Sequence, residues 1–344
     1  MDEPSAESIA PPMAHQPPPG PRSPAIHADL NHDEIRTVLA RYELGAVHRV
    51  SDLRAGSALS PKAIVECERG KLLLKRRARG LDIPTVVAFA HEVMLGCSRG
   101  GLCVPPLVGT KAENNSMVQV RDFVYELFVF IEGSPYARTT AHAFQSGALL
   151  GETHRVMDTV RTHSEPSVEP VVVDPARGAG WVPTDRFDQS AIEHATRLLQ
   201  YGEDLVRANA SPNALVHGDW HPGNMIYQGD HIVAVCDFDS TRIGSRIREL
   251  AQGLLYFSLR SDNTAEPDRA LLEAFWDGYR SDSPMSVDPR VLASLMPAVL
   301  VDEGFASAAT TPNANHGPML AGVLARARWL DDHHDKLTSI FASR

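Results

Sequence analysis

The chain is 344 residues long, 43% hydrophobic and 22% charged, with a formal net charge of −10 and a pI near 5.8. That usage excludes a wholly disordered, collagen-like or fibrous chain, and the acidity argues against nucleic-acid binding, which runs on Lys and Arg. No run of about 18 apolar residues stands out, so no membrane span is expected, and at roughly 150 residues per domain the length predicts two domains or lobes.

Residues 1–30 read as a disordered Pro-rich tail. Eight of the 25 prolines fall between Pro4 and Pro24 with few large apolar residues among them, so ordering the segment would bury too little surface to offset its entropy. The opening Met-Asp-Glu-Pro has no basic region followed by an apolar one, so no targeting signal is expected. Cys67, Cys97, Cys103 and Cys236 form no C-x-x-C pair. They read as free thiols in a reducing cytoplasm.

From Asn31 a short helix is predicted, with Asn31 and Glu34 as a capping box and Ile35, Val38, Leu39 and Tyr42 at helical spacing. Strands are expected over Val47–Leu53, Ala63–Glu68 and Lys71–Lys75, forming an antiparallel meander. A helix follows over Ile83–Arg99, then a hairpin of Val118–Arg121 and Phe123–Ile131 around Asp122. After Gly133 the predicted elements are helical: Thr140–Arg155, Asp188–Arg207, and then 246–260, 268–280, 288–308 and 318–341. The Gly178–Pro183 stretch reads equally as part of an acceptor lid or as a surface loop.

The chemistry concentrates between Leu215 and Asp239. An apolar strand leads into His217-Gly-Asp219, and Asn224 lies five residues after Asp219. A hairpin turning at Gln228-Gly-Asp230 returns the chain to Asp237. Asp219, Asn224 and Asp237 can therefore converge at one strand mouth. Two carboxylates and an amide oxygen are hard ligands that suit Mg²⁺ and phosphate oxygens rather than zinc. Phosphoryl transfer needs that set: one carboxylate for the attacking hydroxyl, an Asn and an Asp for the metal, and a strand lysine for the phosphates. The Asp-to-Asn spacing matches the kinase catalytic loop.

His217-Gly-Asp-Trp-His-Pro-Gly-Asn224 followed by Val235-Cys-Asp-Phe-Asp239 resembles the signature of the aminoglycoside phosphotransferase family, which includes choline-kinase-like and type II homoserine-kinase-like enzymes. The resemblance covers roughly residues 45–335. It implies an α+β, protein-kinase-like two-lobe fold. A small antiparallel-sheet lobe over 31–132 would bind nucleotide, and a larger helical lobe over 133–344 would carry catalysis and acceptor binding. It further implies ATP and Mg²⁺ as cofactors and a small-molecule hydroxyl acceptor. Asp219 resembles the catalytic base, and His217 the histidine anchoring its loop. Asn224 and Asp237 resemble the metal ligands. Asp239 itself reads equally as an outer metal ligand or as a helix or turn cap. Lys75 resembles the phosphate-binding strand lysine and Glu92 its helix ion-pair partner. The backbone of Val129 and Ile131 would meet adenine, and Gly56-Ser57 resembles the short phosphate-covering turn. Glu249-Leu-Ala251 stands where many members carry Asp-Leu-Ala.

The chain has no H-R-D, D-F-G or A-P-E sequence, which argues against a eukaryotic-type protein kinase. A homoserine- or choline-type acceptor is the alternative within the family. Outside it stand a catalytically silent nucleotide-binding protein and a metal-dependent hydrolase, since His217-Gly-Asp-Trp-His221 is also H-x-D-x-H. The acidic balance is compatible with a cationic or amino-bearing acceptor. Part of it belongs to the tail, and Asp219 and Asp237 serve the metal chemistry.

Overall fold

The computed structural model describes residues 29–57, 59–164, 187–209, 214–260, 262, 264–283, 285–309 and 316–342. The tail up to residue 28 and the Gly178–Pro183 stretch lie outside them.

Helix α1 (His32–Leu39) opens on the predicted capping box. Asn31 Oδ1 accepts from the Glu34 amide at 2.9 Å, and Glu34 Oε2 accepts from the Asn31 amide at 3.3 Å. Ile35, Val38 and Leu39 are thereby turned onto a five-stranded antiparallel sheet with the order β1-β2-β3-β5-β4. Its strands are β1 (Val47–Leu53), β2 (Lys62–Cys67), β3 (Gly70–Arg76), β4 (Val118–Val120) and β5 (Phe123–Val129). Period-two alternation divides the sheet. Val65, Leu72, Leu74 and Leu127 face α1 and form the small core.

The opposite face carries two cross-strand rows. One pairs Lys62 with Lys75 and Lys75 with Glu126; the next pairs Ile64 with Leu73 and Leu73 with Phe128. A charged row therefore lies beside an apolar, half-buried one on the same surface.

Helix α2 (Pro84–Arg99) follows the sheet strands in sequence but packs Phe89, Val93, Met94 and Cys97 into the large helical core. That core is built by α3 (Thr140–Met157), α4 (Gln189–Ala208), α5 (Arg246–Ser258), α6 (Arg269–Asp282), α7 (Pro289–Ala309), α8 (Gly317–Asp332) and α9 (His334–Ala342). The mixed α+β, two-part architecture agrees with expectation, and the four cysteines are unpaired.

Helices α3 and α6 touch backbone to backbone. A Cβ on Gly147 would lie 2.0 Å from the Phe275 carbonyl oxygen, and one on Gly278 would lie 2.0 Å from that of Phe144. Neither carbonyl can yield without separating the helices. Gly147→Ala is expected to destabilise the protein by about 1–3 kcal/mol through overpacking, read as a lower denaturation midpoint with an unchanged m-value. A midpoint equal to wild type would show that the helix pair can yield.

One expectation about the helices needs correction. The final helix does not run unbroken over 318–341 but divides at His333, whose backbone leaves the helical region at φ −113°, ψ 24°. Its ring Nδ1 lies 2.8 Å from the Trp329 carbonyl, and the ring stacks on Trp329 at 4.1 Å. The side chain thus competes with the helical backbone for a carbonyl. One segment, Pro289–Ala308 of α7, is long and apolar enough to cross a membrane, with a mean hydropathy of 1.4. About 67% of its window is buried inside the molecule, as in a helix central to a helical core.

Candidate active site

Between the sheet and the helices sits a segment of short strands: β6 (Leu215–Val216), β7 (Met225–Gln228), β8 (His231–Val235) and β9 (Arg242–Ile243). The β7–β8 hairpin turns at Gly229, with φ +58°, as the sequence predicts. Ser134 and Tyr227 exchange backbone hydrogen bonds of 2.8 and 2.9 Å, tying the chain after Gly133 to this hairpin. A Cβ on Gly133 would lie 2.5 Å from the Tyr227 carbonyl oxygen, so only glycine permits that approach.

The loop from His217 to Asn224 is held at many points. His217 is fully buried, which lowers its pKa despite the nearby Glu249, Asp219 and Asp237 carboxylates. The neutral ring lies 3.1 Å from the Cys236 carbonyl through Nε2 and accepts from the Asp219 amide at 3.3 Å through Nδ1. Gly218 has φ +83°, and a Cβ there would meet Ser240 O at 2.2 Å. Its amide donates to Glu249 Oε1 at 2.5 Å, and the Trp220 amide donates to Gln252 Oε1 at 3.1 Å.

Asp219 Oδ2 lies 3.0 Å from Asn224 Nδ2, which also donates to the Asp219 carbonyl at 2.9 Å. His221 Nε2 is 3.2 Å from the same Oδ2, and its Nδ1 accepts from the Gly223 amide at 3.0 Å. Burial alone would lower the His221 pKa, but Asp219 raises it on balance. The Asn224 carbonyl accepts from the Cys236 amide at 2.8 Å, so Asn224 is stitched to the residue preceding Asp237.

Asp237 adopts a left-handed conformation, φ 65° and ψ 66°, a region that Asp tolerates better than most residues. Lys75, at the end of β3, reaches it across 162 residues of sequence. Its Nζ lies 2.8 Å from Asp237 Oδ1 and 2.6 Å from Asp239 Oδ1. Burial works against the charge on Lys75, yet Asp237 and then Asp239 raise its pKa. Asp237 is held well below the usual carboxylate range: burial opposes this, and Lys75 and then Lys62 outweigh it. Asp239 is pushed upward by burial and by the charge of Asp237.

Lys75, Asp237 and Asp239 thus come together, as do His217, Asp219 and Asn224. Glu92 does not join them. Its carboxylate accepts from the His163 amide at 2.5 Å and from the Ser164 amide at 3.2 Å, on the loop after α3. The helix turns His91, not Glu92, toward the sheet. His91 Nε2 lies 2.5 Å from Glu126 Oε1, and Arg77 Nη2 lies 2.8 Å from the same oxygen and 3.3 Å from Asp239. The anion behind the lysine row therefore comes from β5. Alternation along β3 and β5, with Arg77 one position past β3, is the signal in the sequence that could have found it.

Of the hinge residues, the Val129 amide is committed to the Pro106 carbonyl at 2.8 Å, and the Phe130 amide to Lys71 at 3.0 Å. Among the described residues the Ile131 amide makes no such bond, and the apolar row Ile64–Leu73–Phe128 lies on the adjoining strands. Gly56 takes φ +81°, and the Ser57 hydroxyl accepts from the Leu59 amide at 3.2 Å.

Comparison with known proteins places this geometry. The family model for a phosphotransferase enzyme family, APH, matches residues 51–292. The chain belongs to that family. A homoserine kinase of Sinorhizobium medicae is 24% identical to this phosphotransferase-family chain over 227 residues. The match covers 62% of this chain and 65% of that protein, so it spans just under two thirds of the relative. Among solved structures, an amicoumacin kinase in complex with AMP-PNP and Ca²⁺ superposes with a TM-score of 0.65 at 19% identity, covering 89% of this chain and 96% of its own. A microcompartment-associated aminopropanol kinase gives 0.67 at 12% identity, covering 90% and 99%. These likenesses establish a protein-kinase-like fold for the family member described here.

Proposed function

We propose that the protein is an ATP- and Mg²⁺-dependent O-phosphotransferase acting on a hydroxyl of a small amino-bearing molecule. The observation that carries this reading is the convergence of Lys75 on Asp237 and Asp239, beside a loop that fixes Asp219 through Asn224 and His221.

Asp219 is the group that orients the acceptor hydroxyl and takes its proton. With Oδ2 held by two neighbours, the carboxylate keeps one orientation. Lys75 meets the phosphates, and Arg77 and Glu126 keep its row rigid and balanced in charge. Asn224 and Asp237 would hold Mg²⁺. Two oxygen ligands completed by phosphates and water suit Mg²⁺ better than an all-protein cage would, and the carboxylates already converge on one cationic nitrogen. Bound there, the metal would neutralise charge on the transferring phosphoryl group. Ile131 and the row Ile64–Leu73–Phe128 fit a planar base.

The hydrolase alternative is disfavoured by the donors themselves. Both ring nitrogens of His217 and of His221 face protein groups, and no cluster of three His, Cys, Asp or Glu among the described residues is arranged to hold a metal.

The amino-bearing acceptor rests on a carboxylate wall. Gln252, which holds the Trp220 amide, donates to Glu303 Oε1 at 3.1 Å, and Arg248 bridges Glu303 and Asp302. Burial, with Asp302 and Asp219 nearby, pushes the Glu303 pKa up despite Arg248. Homoserine and aminopropanol, the substrates named for two relatives, each combine a hydroxyl with an amine. An ADP-release screen across amino alcohols at fixed Mg-ATP tests the reading, with Asp219→Asn as the blank. Acceptor-dependent release is expected with amine-bearing compounds, and Glu303→Gln is expected to raise KM for them about 10-fold with kcat little changed. No release with any acceptor would overturn the proposal; an unchanged KM would remove Glu303 from it.

A further inference from the structure

We propose that Lys62 is a second polyphosphate-contacting cation, meeting the nucleotide from β2 beside Lys75 on β3. The inference rests on the phosphotransferase reading above and adds to it a residue beyond Lys75, Asp219, Asn224 and Asp237.

The β2–β3 register sets Lys62 directly opposite Lys75. Residues directly opposed on antiparallel strands project from the same face with their Cβ atoms about 5 Å apart, and like charges in that position repel. Lys75 answers its charge with two carboxylates. Lys62 does not: its Nζ is 3.3 Å from the Ala55 carbonyl and 3.3 Å from the Ser60 carbonyl, and it makes no ion pair among the described residues. A half-buried ammonium resting on two carbonyl dipoles, opposite another ammonium, is an arrangement that an anion would relieve. Burial and then Lys75 lower the Lys62 pKa, which Asp237 and Asp239 only partly offset. Lys62 shares its sheet face with Lys75, whose Nζ reaches Asp237 and Asp239, so it stands on the metal and phosphate side of the sheet.

The turn above it explains why a second cation is useful. A glycine-rich loop cradles phosphates with successive backbone amides. The β1–β2 connection Arg54–Pro61 has Gly56 as its one glycine. A Cβ at Gly56 would lie 2.5 Å from Lys62 Nζ, so that glycine makes room for the ammonium. Lys62 puts a point charge where the loop is poor in amides.

The test compares the full-length wild type, Lys62→Met and Lys62→Arg. Equilibrium titrations use Mg-ATP, AMP and tripolyphosphate, and thermal unfolding is measured without nucleotide. Lys62→Met is expected to weaken Mg-ATP and tripolyphosphate about 10- to 100-fold while AMP changes by less than about twofold. Its unfolding midpoint without nucleotide should be no lower than wild type, because removing one of two opposed cations relieves repulsion. Lys62→Arg should stay near wild type. A merely structural strut would give a lower midpoint with equal losses for AMP and ATP, which overturns the inference. Unchanged Mg-ATP affinity in Lys62→Met overturns it too. A wild type that binds no Mg-ATP overturns the phosphotransferase reading with it.

Discussion

Asp219→Asn is expected to lower acceptor-dependent ADP release by about 10²- to 10⁴-fold, the range for losing a positioned general base. A carboxamide cannot take the hydroxyl proton, yet it keeps the size of the side chain. Its oxygen can still accept from Asn224 Nδ2, which contacts the wild-type carboxylate at 3.0 Å. Mg-ATP affinity and the unfolding midpoint should therefore stay close to wild type, and the loss should fall on kcat and kcat/KM together. Residual turnover within a few-fold of wild type would remove Asp219 from the chemistry. A parallel collapse of stability would mean that the substitution reports on the loop instead.

The second large effect concerns Glu249, which connects the helical core to the catalytic loop. Its Oε1 accepts from the Gly218 amide at 2.5 Å, and its Oε2 lies 2.9 Å from His154 Nε2. His154 Nδ1 lies 3.0 Å from the Tyr279 hydroxyl, so one buried chain runs from α6 through α3 and α5 to the loop. Glu249→Ala would strand a buried donor at each end of the carboxylate, at a cost of about 2–5 kcal/mol. Activity should fall more than stability alone explains, because Gly218 precedes Asp219. Glu249→Asp keeps the charge with a shorter reach and should restore part of both. An alanine variant as stable and active as wild type would show that the loop holds itself.

The same chain gives the acid limb of stability its sign. Burial keeps His154 and His217 below the usual histidine value, the Glu249 and neighbouring carboxylates notwithstanding. Below about pH 6.5 the unfolded chain takes up protons that the folded rings refuse, so stability falls as pH falls. Glu249 is itself held low: burial opposes this, and His154, His217 and the Gly218 amide together outweigh it. Its contribution is complete above the ordinary carboxylate range and is lost as pH drops through its lowered value. Glu249→Ala should flatten the lower part of that limb in a urea-denaturation series across pH.

What could be read in one dimension was whatever local rules control. The Asn31–Glu34 box places α1, because a capping box involves residues three apart. Strand alternation and the Gly229 turn place β2, β3 and the β7–β8 hairpin, and that hairpin returns Asp237 toward Asn224. The Asp219-to-Asn224 spacing needs only one short loop to become the contact seen. The family-level character of the site was therefore legible before any coordinates.

Contacts between elements were not. Glu92 and His91 are neighbours on one helix, and only the packing of α2 against the helical core decides that His91 meets Glu126 while Glu92 turns to His163 and Ser164. Arg77 and Glu126 pair across 49 residues through strand register, which a one-residue slip would reverse. The break at His333 comes from a ring that finds Trp329, a choice that helical periodicity cannot express. Lys62 is the sharpest case. Its type and position are plain in the sequence, but its meaning depends on what stands opposite it and on the ion pair it lacks among the described residues. The acidic balance that opens the sequence is likewise reordered by the fold. Asp219, Asp237, Asp239, Glu126, Glu249 and Glu303 lie around the Lys75 row and the His217–Asn224 loop, because burial permits such charges only where a cation, a donor or a ligand answers them.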